Sequence, residues 1–182
     1  MSKVITESIE NAAGYRTDAV HLIETIDSAG LSTVDFVLPD GYFKYQFILD
    51  EIIPVTDTAI LYLRTSADGG STFDSGAGDY QYRMSINNTL FSGTSNTEIR
   101  LSAGGGTSTG EGISGDVHCF NPSGANYTRF SYQITMRAAD TLQYYTDGIG
   151  MRQSAAAVDA VQFLFSSGNF TSGTIKLYGW KS

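Results

Sequence analysis

The chain has 182 residues, of which 41% are hydrophobic and only 16% are charged. This length suffices for one domain with one substantial core, and the presence of 11 Tyr and 10 Phe excludes the composition of a disordered chain. The net charge of −8 gives no electrostatic support to a nucleic-acid partner or to binding at an anionic membrane surface.

Two further features bear on where the protein is made. Cys119 is the one cysteine, so no intrachain disulfide can form. No run reaches the roughly 20 apolar residues of a membrane span, and the first residues lack the apolar segment of a signal peptide. We therefore expect that the protein either matures in a reducing cytoplasm or is large enough to be stable without disulfides, and that any role outside a cell follows lysis or another export route.

Residues 1–18 differ from the rest of the chain. Val4, Ile5, Ile9 and Ala12 form a weak apolar stripe at helical spacing, and Gly14 would end such a helix. A helix this short is marginal alone. We expect an N-terminal arm that is ordered by packing on a neighbouring subunit or on the chain's own domain, which spans residues 19–182.

From there the pattern is that of short strands separated by turns. Phe43, Tyr45, Phe47 and Leu49 alternate with polar residues, the period of two of a half-buried strand. Similar segments lie at 21–27, 31–38, 60–65, 80–86, 130–136, 161–165 and 174–180. Eight or more antiparallel strands of this kind predict an all-β jelly roll or β-sandwich.

Residues 102–112 are rich in Gly, Ser and Thr and contain almost no bulky side chain. This composition predicts a flexible loop within the domain. A long loop on a rigid sandwich is a common place for ligand binding, although extra loop length is also simply tolerated.

Residues 66–73 carry a compact turn motif with the form S-x-D-x-G-x-T-F, made by Ser66, Asp68, Gly70, Thr72 and Phe73. It resembles the Asp-box hairpins of sialidases and related β-proteins. We expect a structural turn in which Asp68 accepts backbone N–H groups, the glycines take positive φ, and the Phe73 ring packs into the core.

Metal sites have little support in the sequence. Asp68, Asp74 and Asp79 could offer oxygens to calcium, but their spacing is not that of an EF-hand. His118 and Cys119 are adjacent, so in a strand they would point to opposite faces, and with His21 they fall short of a closed zinc site. We predict no metal and no cofactor.

Catalysis is also unsupported. No nucleophile-elbow sequence is present, and the acidic residues fall mostly in turns or on polar faces. We predict that the protein is not an enzyme and keep a hydrolase only as a minor alternative.

Three aromatic residues could contact a ligand. Tyr144, Tyr145 and Trp180 have amphipathic rings that can stack on sugars. Rings in strands equally serve the core or a subunit interface, so both interpretations stay open.

Three segments carry a resemblance to a known family: residues 52–59 (IIPVTDTA), residues 61–77 with the Asp-box hairpin, and the ending FSSGNFTSGTIKLYG at 165–179. Together they are similar to a group of structural proteins of tailed-bacteriophage virions. The resemblance implies a jelly-roll particle component without catalytic residues: a capsid decoration (cement) protein, a head fibre or a tail-associated module.

Under this interpretation the protein is assembled in the host cytoplasm and resides on the virion exterior, where it contacts major capsid or tail proteins. Self-association, most simply as a trimer, is expected. The alternative is a carbohydrate-binding adhesin for host-surface glycans, which would stack on Tyr144, Tyr145 or Trp180 with the Gly-rich segment around them.

Overall fold

The computed structural model describes residues 20–181, and within them it contains twelve β-strands and no helix. In chain order the strands are β1 (Val20–Asp27), β2 (Thr33–Val37), β3 (Lys44–Pro54), β4 (Ala59–Ser66), β5 (Tyr80–Ile86), β6 (Thr89–Asn96), β7 (Ile99–Gly105), β8 (Ile113–Phe120), β9 (Arg129–Arg137), β10 (Gln143–Arg152), β11 (Ala160–Phe165) and β12 (Phe170–Trp180). Their pairings are antiparallel. The predicted all-β fold class is confirmed.

The strands form two sheets that pack face to face. The larger sheet has the order β1-β12-β3-β8-β9-β10-β5-β6, and the smaller has the order β2-β11-β4-β7. The pairs β2–β11, β3–β8, β4–β7 and β5–β6 are nested in the manner of a jelly roll. Hairpin β9–β10 is inserted between β8 and β5, and β12 and β1 extend the larger sheet beyond β3.

Alternating side chains divide each strand between the core and an outer face. Along β9 the residues Phe130, Tyr132, Ile134 and Met136 are buried, whereas Gln133 between them is exposed. Aromatic side chains of the two sheets contact each other in the core. The centroid of the Phe47 ring lies 5.5 Å from that of Phe36 and 5.1 Å from that of Phe163. Each such ring stabilises the fold by about 1.5–3 kcal/mol through burial.

The Gly-rich segment is only partly a loop. Residues 102–105 belong to β7, and Ser102 is fully buried, where its hydroxyl accepts the Leu61 backbone N–H at 3.0 Å. A Cβ at Gly104 would lie 2.6 Å from the Thr58 carbonyl oxygen. The prediction of a flexible loop is therefore wrong for these residues, because their small size serves close strand packing. Residues 106–112 connect β7 to β8.

Strands β6, β7, β8 and β10 were not identified from the sequence. In β10 the core-facing positions include Gly148 and Gly150, so the apolar alternation is interrupted. A Cβ at Gly148 would lie 2.4 Å from the Tyr132 ring, and one at Gly150 would lie 2.6 Å from Ile99. These glycines make room for large side chains of neighbouring strands. Because they replace apolar residues at core-facing positions, the alternation that would predict a strand is missing.

The predicted N-terminal arm, residues 1–18, lies outside the described residues. Among residues 20–181 there is no helix long and apolar enough to cross a membrane.

Candidate ligand-binding surface

The outer face of the larger sheet carries an array of side chains across its central strands β8, β9 and β10. We call this array the polar strip; it has three rows, His118–Ser131–Ile149, Asp116–Gln133–Asp147 and Ser114–Thr135–Tyr145. Each row contains one residue from each strand, in direct cross-strand register. Adjacent rows are two residues apart along the strands, so the strip extends about 13 Å.

The polar strip lines two adjoining grooves, and Ser131 and Ile149 of its first row also line a third. The central groove has a volume of about 530 Å³ and is formed by the first two rows together with Arg83 of β5 and Leu90 of β6. The end groove has a volume of about 660 Å³ and is formed by the third row together with Glu51 and Arg137. The strip is therefore a concave surface and not a flat sheet face.

Charge in the central groove is unevenly balanced. His118 Nε2 donates to Asp116 Oδ2 at 2.9 Å. Burial, reinforced by the nearby Lys44 charge, lowers the pKa of His118, so the imidazole is neutral near pH 7. Among the described residues that line the groove, two carboxylates, Asp116 and Asp147, then face one cation, Arg83.

Two residues of the middle row are not engaged by the protein. Among residues 20–181, the side chains of Gln133 and Asp147 have no hydrogen-bond partner, and both are exposed in the groove. A Gln amide both donates and accepts, and a carboxylate accepts. The middle row therefore presents solvent-exposed donors and acceptors that a ligand can bind in place of water.

The end groove contains two of the aromatic residues singled out in the sequence. Tyr145 is 43% exposed and lies in the third row. The Tyr144 hydroxyl donates to Asp140 Oδ2 at 2.7 Å, and this bond raises the pKa of Tyr144. Gly110 and Gly112 line the same groove, so the structure brings the tyrosines and the Gly-rich connection together.

Trp180 lies apart from them. Through β3, β8 and β9 it is aligned with Met151 of β10, six residues from Tyr145 and thus about 20 Å along the strand. Lys44 Nζ lies 4.5 Å from the centre of the Trp180 ring and 5.4 Å from that of Phe120. Trp180 is part of this cation–π stack and not of the grooves.

The Asp-box residues form a self-contained turn. The Asp68 carboxylate accepts hydrogen bonds from the Thr72 backbone N–H at 2.9 Å, the Thr72 hydroxyl at 2.6 Å and the Ser66 hydroxyl at 2.7 Å. The Thr72 bonds, followed by that of Ser66, lower the pKa of Asp68 to about 2. Gly69 and Gly70 have φ of 73° and 82°.

Phe73 differs from the expectation. Its ring is half-buried and packs against Gly70 of the same turn, outside the central hydrophobic core. The turn is held by hydrogen bonds, so it does not need the ring as a core anchor.

The carboxylates considered for calcium have separate partners. Asp74 Oδ2 accepts from Arg152 Nε at 2.6 Å, and Asp79 Oδ2 accepts the Gly76 backbone N–H at 2.6 Å. They do not converge with Asp68, and within residues 20–181 there is no group of three or more metal-ligating side chains.

The residues considered for zinc are also separated. Cys119 is fully buried, and burial raises the pKa of its thiol, whereas His118 belongs to the outer face. The His21 ring packs edge-on against Tyr42 at 6.1 Å.

Sequence reasoning did not single out Asp116, Gln133 or Asp147. A polar residue in a strand is normally explained by solvation, and the alternation within residues 130–136 placed Gln133 on the polar face only as one of several such residues, with Ser131 and Thr135. These three residues are related only by cross-strand register, which depends on which strands become neighbours in the sheet.

Comparisons with known proteins give no family assignment. No protein-family model matches the chain, and no curated protein matches it. Among solved structures, the galectin LEC-6 of Caenorhabditis elegans aligns with a TM-score of 0.38 and 8% identity, over 90% of this chain and 99% of that chain. A legume lectin-like domain from Entamoeba histolytica aligns with a TM-score of 0.33 and 9% identity, over 90% of this chain and 87% of that one. Alignments at these TM-scores and identities carry no information about function.

Proposed function

We propose that this protein is a non-catalytic carbohydrate-binding domain and that the polar strip holds the ligand. The observation that carries the proposal is the exposed middle row, in which Gln133 and Asp147 lie in a groove without protein partners among the described residues. Sugar hydroxyls donate to carboxylates and accept from amides. Ile149 and Tyr145, in the outer rows, supply the apolar and aromatic contacts that suit the faces of sugar rings.

The charge of the groove favours a neutral ligand. Asp116 and Asp147 outnumber Arg83, and His118 is neutral near pH 7. An anionic sugar would be repelled by the two carboxylates at short range. We expect binding of neutral oligosaccharides in preference to sialylated or sulfated ones.

A glycan array with the purified protein tests this proposal. The double variant Gln133→Ala/Asp147→Ala should weaken binding at least about tenfold, because each lost hydrogen bond to a charged or amide group contributes about 1–3 kcal/mol. The matched control is Asp35→Ala/Gln162→Ala, the same two residue types on the outer face of the smaller sheet, which should bind as the wild type does. An array without any bound glycan, or equal binding by both variants, would contradict the proposal.

A second candidate function follows from the edges of the larger sheet. Val20 and Leu22 of β1 are 41% and 55% exposed, and Leu90 and Phe91 of β6 are 66% and 37% exposed. Exposed apolar side chains on sheet edges favour association with another chain. Together with the similarity of residues 52–77 and 165–179 to tailed-phage structural proteins, this supports a self-associating component of the virion exterior, such as a decoration protein, head fibre or tail module.

The two candidate functions are compatible, since a particle component can carry a sugar-binding surface. Immunogold labelling of purified phage particles from the strain that encodes the chain tests the second one. We expect gold on the outside of the particles. Particles that lack the chain would contradict the virion role and leave the carbohydrate proposal untouched.

A further inference from the structure

The third groove of the outer face, beside the first row of the polar strip, differs in chemistry from the other two. Its volume is about 530 Å³, and Phe120 of β8 together with Ile149 and Met151 of β10 give it a mostly apolar lining. Phe120 is 39% exposed and Ile149 is 61% exposed. The described residues that line the groove include two cations, Arg83 and Arg129, and no carboxylate. The groove is therefore apolar and cationic in a protein whose net charge is −8.

The two arginines of this groove are available for an anionic partner. Within residues 20–181, neither Arg83 nor Arg129 lies within ion-pair distance of a carboxylate, and both side chains are exposed. A carboxylate can therefore bind Arg129 through paired hydrogen bonds without displacing another acidic side chain of this part of the chain.

Cross-strand register places the start of β1 in line with the third groove. One row of outward-facing side chains, which we call the end row, crosses six neighbouring strands and consists of Val20, Trp180, Lys44, Phe120, Arg129 and Met151. Adjacent strands are about 4.8 Å apart, so Arg129 lies about 19 Å from Val20 across the sheet. The chain that precedes Val20 thus enters β1 in the same row that lines the groove.

The sequence before Val20 has the chemistry that the groove lacks. Residues 4–15 contain two glutamates and no Lys or Arg. In an extended segment Ile5, Glu7 and Ile9 lie on one side, because alternate side chains point the same way. Val20 follows Glu7 by 13 residues, which span up to about 43 Å. This length is more than twice the 19 Å across the sheet.

We propose that residues 5–9 dock in extended form across the third groove of their own chain, with the Glu7 carboxylate against the Arg129 guanidinium. The carboxylate then enters a surface whose described lining holds cations and no acid. The flanking isoleucines cover apolar side chains that are otherwise exposed to water.

The order of the side chains matches the order of the strands. Followed away from β1, the segment places Ile9 over Phe120 of β8 and Ile5 over Met151 of β10, with the glutamate between them over β9. Ile5 and Ile9 are about 13 Å apart in an extended chain, and two strand spacings are about 10 Å. The long Phe120 and Met151 side chains are able to bridge this difference.

Two features favour a segment of the same chain over that of a second copy. Copies that each carry a charge of −8 repel one another. A tethered segment has an effective concentration of about a millimolar, so a contact of modest strength is sufficient to hold it in the groove.

The docking has a consequence for the central groove. Arg83, Ser131 and Ile149 line both the third and the central groove. A docked segment therefore forms a wall at the first row of the polar strip, and a long ligand extends from the middle row towards the third row. This consequence rests on the proposed carbohydrate function, whereas the docking itself does not.

A spin label in the full chain tests the docking. Cys119 is fully buried, so a thiol-reactive nitroxide modifies the cysteine introduced by Ser8→Cys, which lies on the other side of the extended segment from Glu7. In NMR spectra we expect loss of most of the intensity of the backbone amide signals of the end row in β8, β9 and β10. Signals of the third row of the polar strip, about 20 Å away along the strands, should keep their intensity.

Charge variants of the labelled chain test the contact itself. Glu7→Arg should restore the end-row signals, and the exchange Glu7→Arg/Arg129→Glu should remove them again. Glu10→Arg is the matched control, since this glutamate lies on the other side of the segment, and it should leave the loss of intensity unchanged. The same spectra show that each variant is folded.

A mixture separates the possible occupants. Spin-labelled chains without isotope are combined with isotope-labelled chains without the spin label, and we expect no loss of intensity. Loss in this mixture would mean that a second copy supplies the segment and would overturn the proposal. Unchanged end-row signals in the labelled chain, or equal effects of Glu7→Arg and Glu10→Arg, would overturn it as well. Glycan binding by a chain without docking would reject the docking and leave the proposed function standing.

Discussion

The outer faces of the two sheets both carry polar side chains, but the two faces differ in how their Gln and Asp side chains pair within the described residues. On the smaller sheet Gln162 Nε2 donates to Asp35 Oδ1 at 3.0 Å, and Arg64 Nη2 donates to Glu98 Oε2 at 3.1 Å. On the larger sheet the equivalent residue types, Gln133 and Asp147, have no partner within residues 20–181. The same chemistry thus serves the fold on one face and is available to a ligand on the other.

The protein also covers part of the smaller sheet with its own chain. The Asp-box hairpin folds over the end of β11, where a Cβ on Gly70 would lie 3.4 Å from Ala160 Cβ. Within residues 20–181 no comparable turn covers the polar strip, which forms open grooves in this part of the chain. The outer face that carries open grooves with exposed polar side chains is the better candidate for binding.

The stability of matched variants offers the strongest test of this contrast. Gln162→Ala should lower the free energy of unfolding by about 1–2 kcal/mol, because Gln162 is 8% exposed and loses a hydrogen bond together with its packing. Gln133→Ala should change it by less than about 0.5 kcal/mol, as is usual for a surface residue. Urea unfolding measures both values, and equal losses would mean that Gln133 has a structural role.

Two aromatic variants test which end of the larger sheet binds the ligand. Tyr145→Ala should weaken glycan binding by about fivefold, since a stacking contact of this kind contributes about 1 kcal/mol. Trp180→Ala should leave the affinity unchanged, because its ring lies under Lys44, about 20 Å from Tyr145 along the strands and four strands away across the sheet. Isothermal titration calorimetry with the best array ligand measures both; a weaker affinity in the Trp180 variant would place the site at the other end of the sheet.

The smallest expected effect concerns the Asp-box hairpin and depends on pH. The pKa of Asp68 is lowered in the folded protein, to about 2, from an unfolded value of about 3.9. Its stabilising contribution is therefore complete above about pH 4 and is lost as the pH falls towards 2. Asp68→Asn should be less stable than the wild type at pH 7, with a difference that shrinks on acidification.

Thermal unfolding at several pH values measures that difference. Thr72→Val, which removes one of the hydroxyl donors to Asp68, should reduce the same pH dependence without abolishing it. A difference between wild type and Asp68→Asn that is constant from pH 7 to pH 2 would show that the carboxylate charge does not hold the turn.

Local sequence patterns were sufficient to predict the all-β class and the strands whose apolar alternation is intact. Residues 130–136 are an example, since their apolar positions coincide with the buried positions of β9. The Asp-box motif likewise marked a turn, because its hydrogen bonds join residues within a few positions of one another. Local patterns of this kind need no knowledge of distant parts of the chain.

Strand β10 and the polar strip could be identified only from the tertiary structure. Strand β10 could not be recognised from the sequence because its core-facing positions include Gly148 and Gly150. Glycine is needed there because the Tyr132 and Ile99 side chains of neighbouring strands occupy the space. The polar strip exists because hairpin β9–β10 is inserted beside β8, which aligns Asp116, Gln133 and Asp147. Each of these residues is unremarkable in its own segment. Their convergence depends on strand order and register, which are set by packing between residues far apart in the chain.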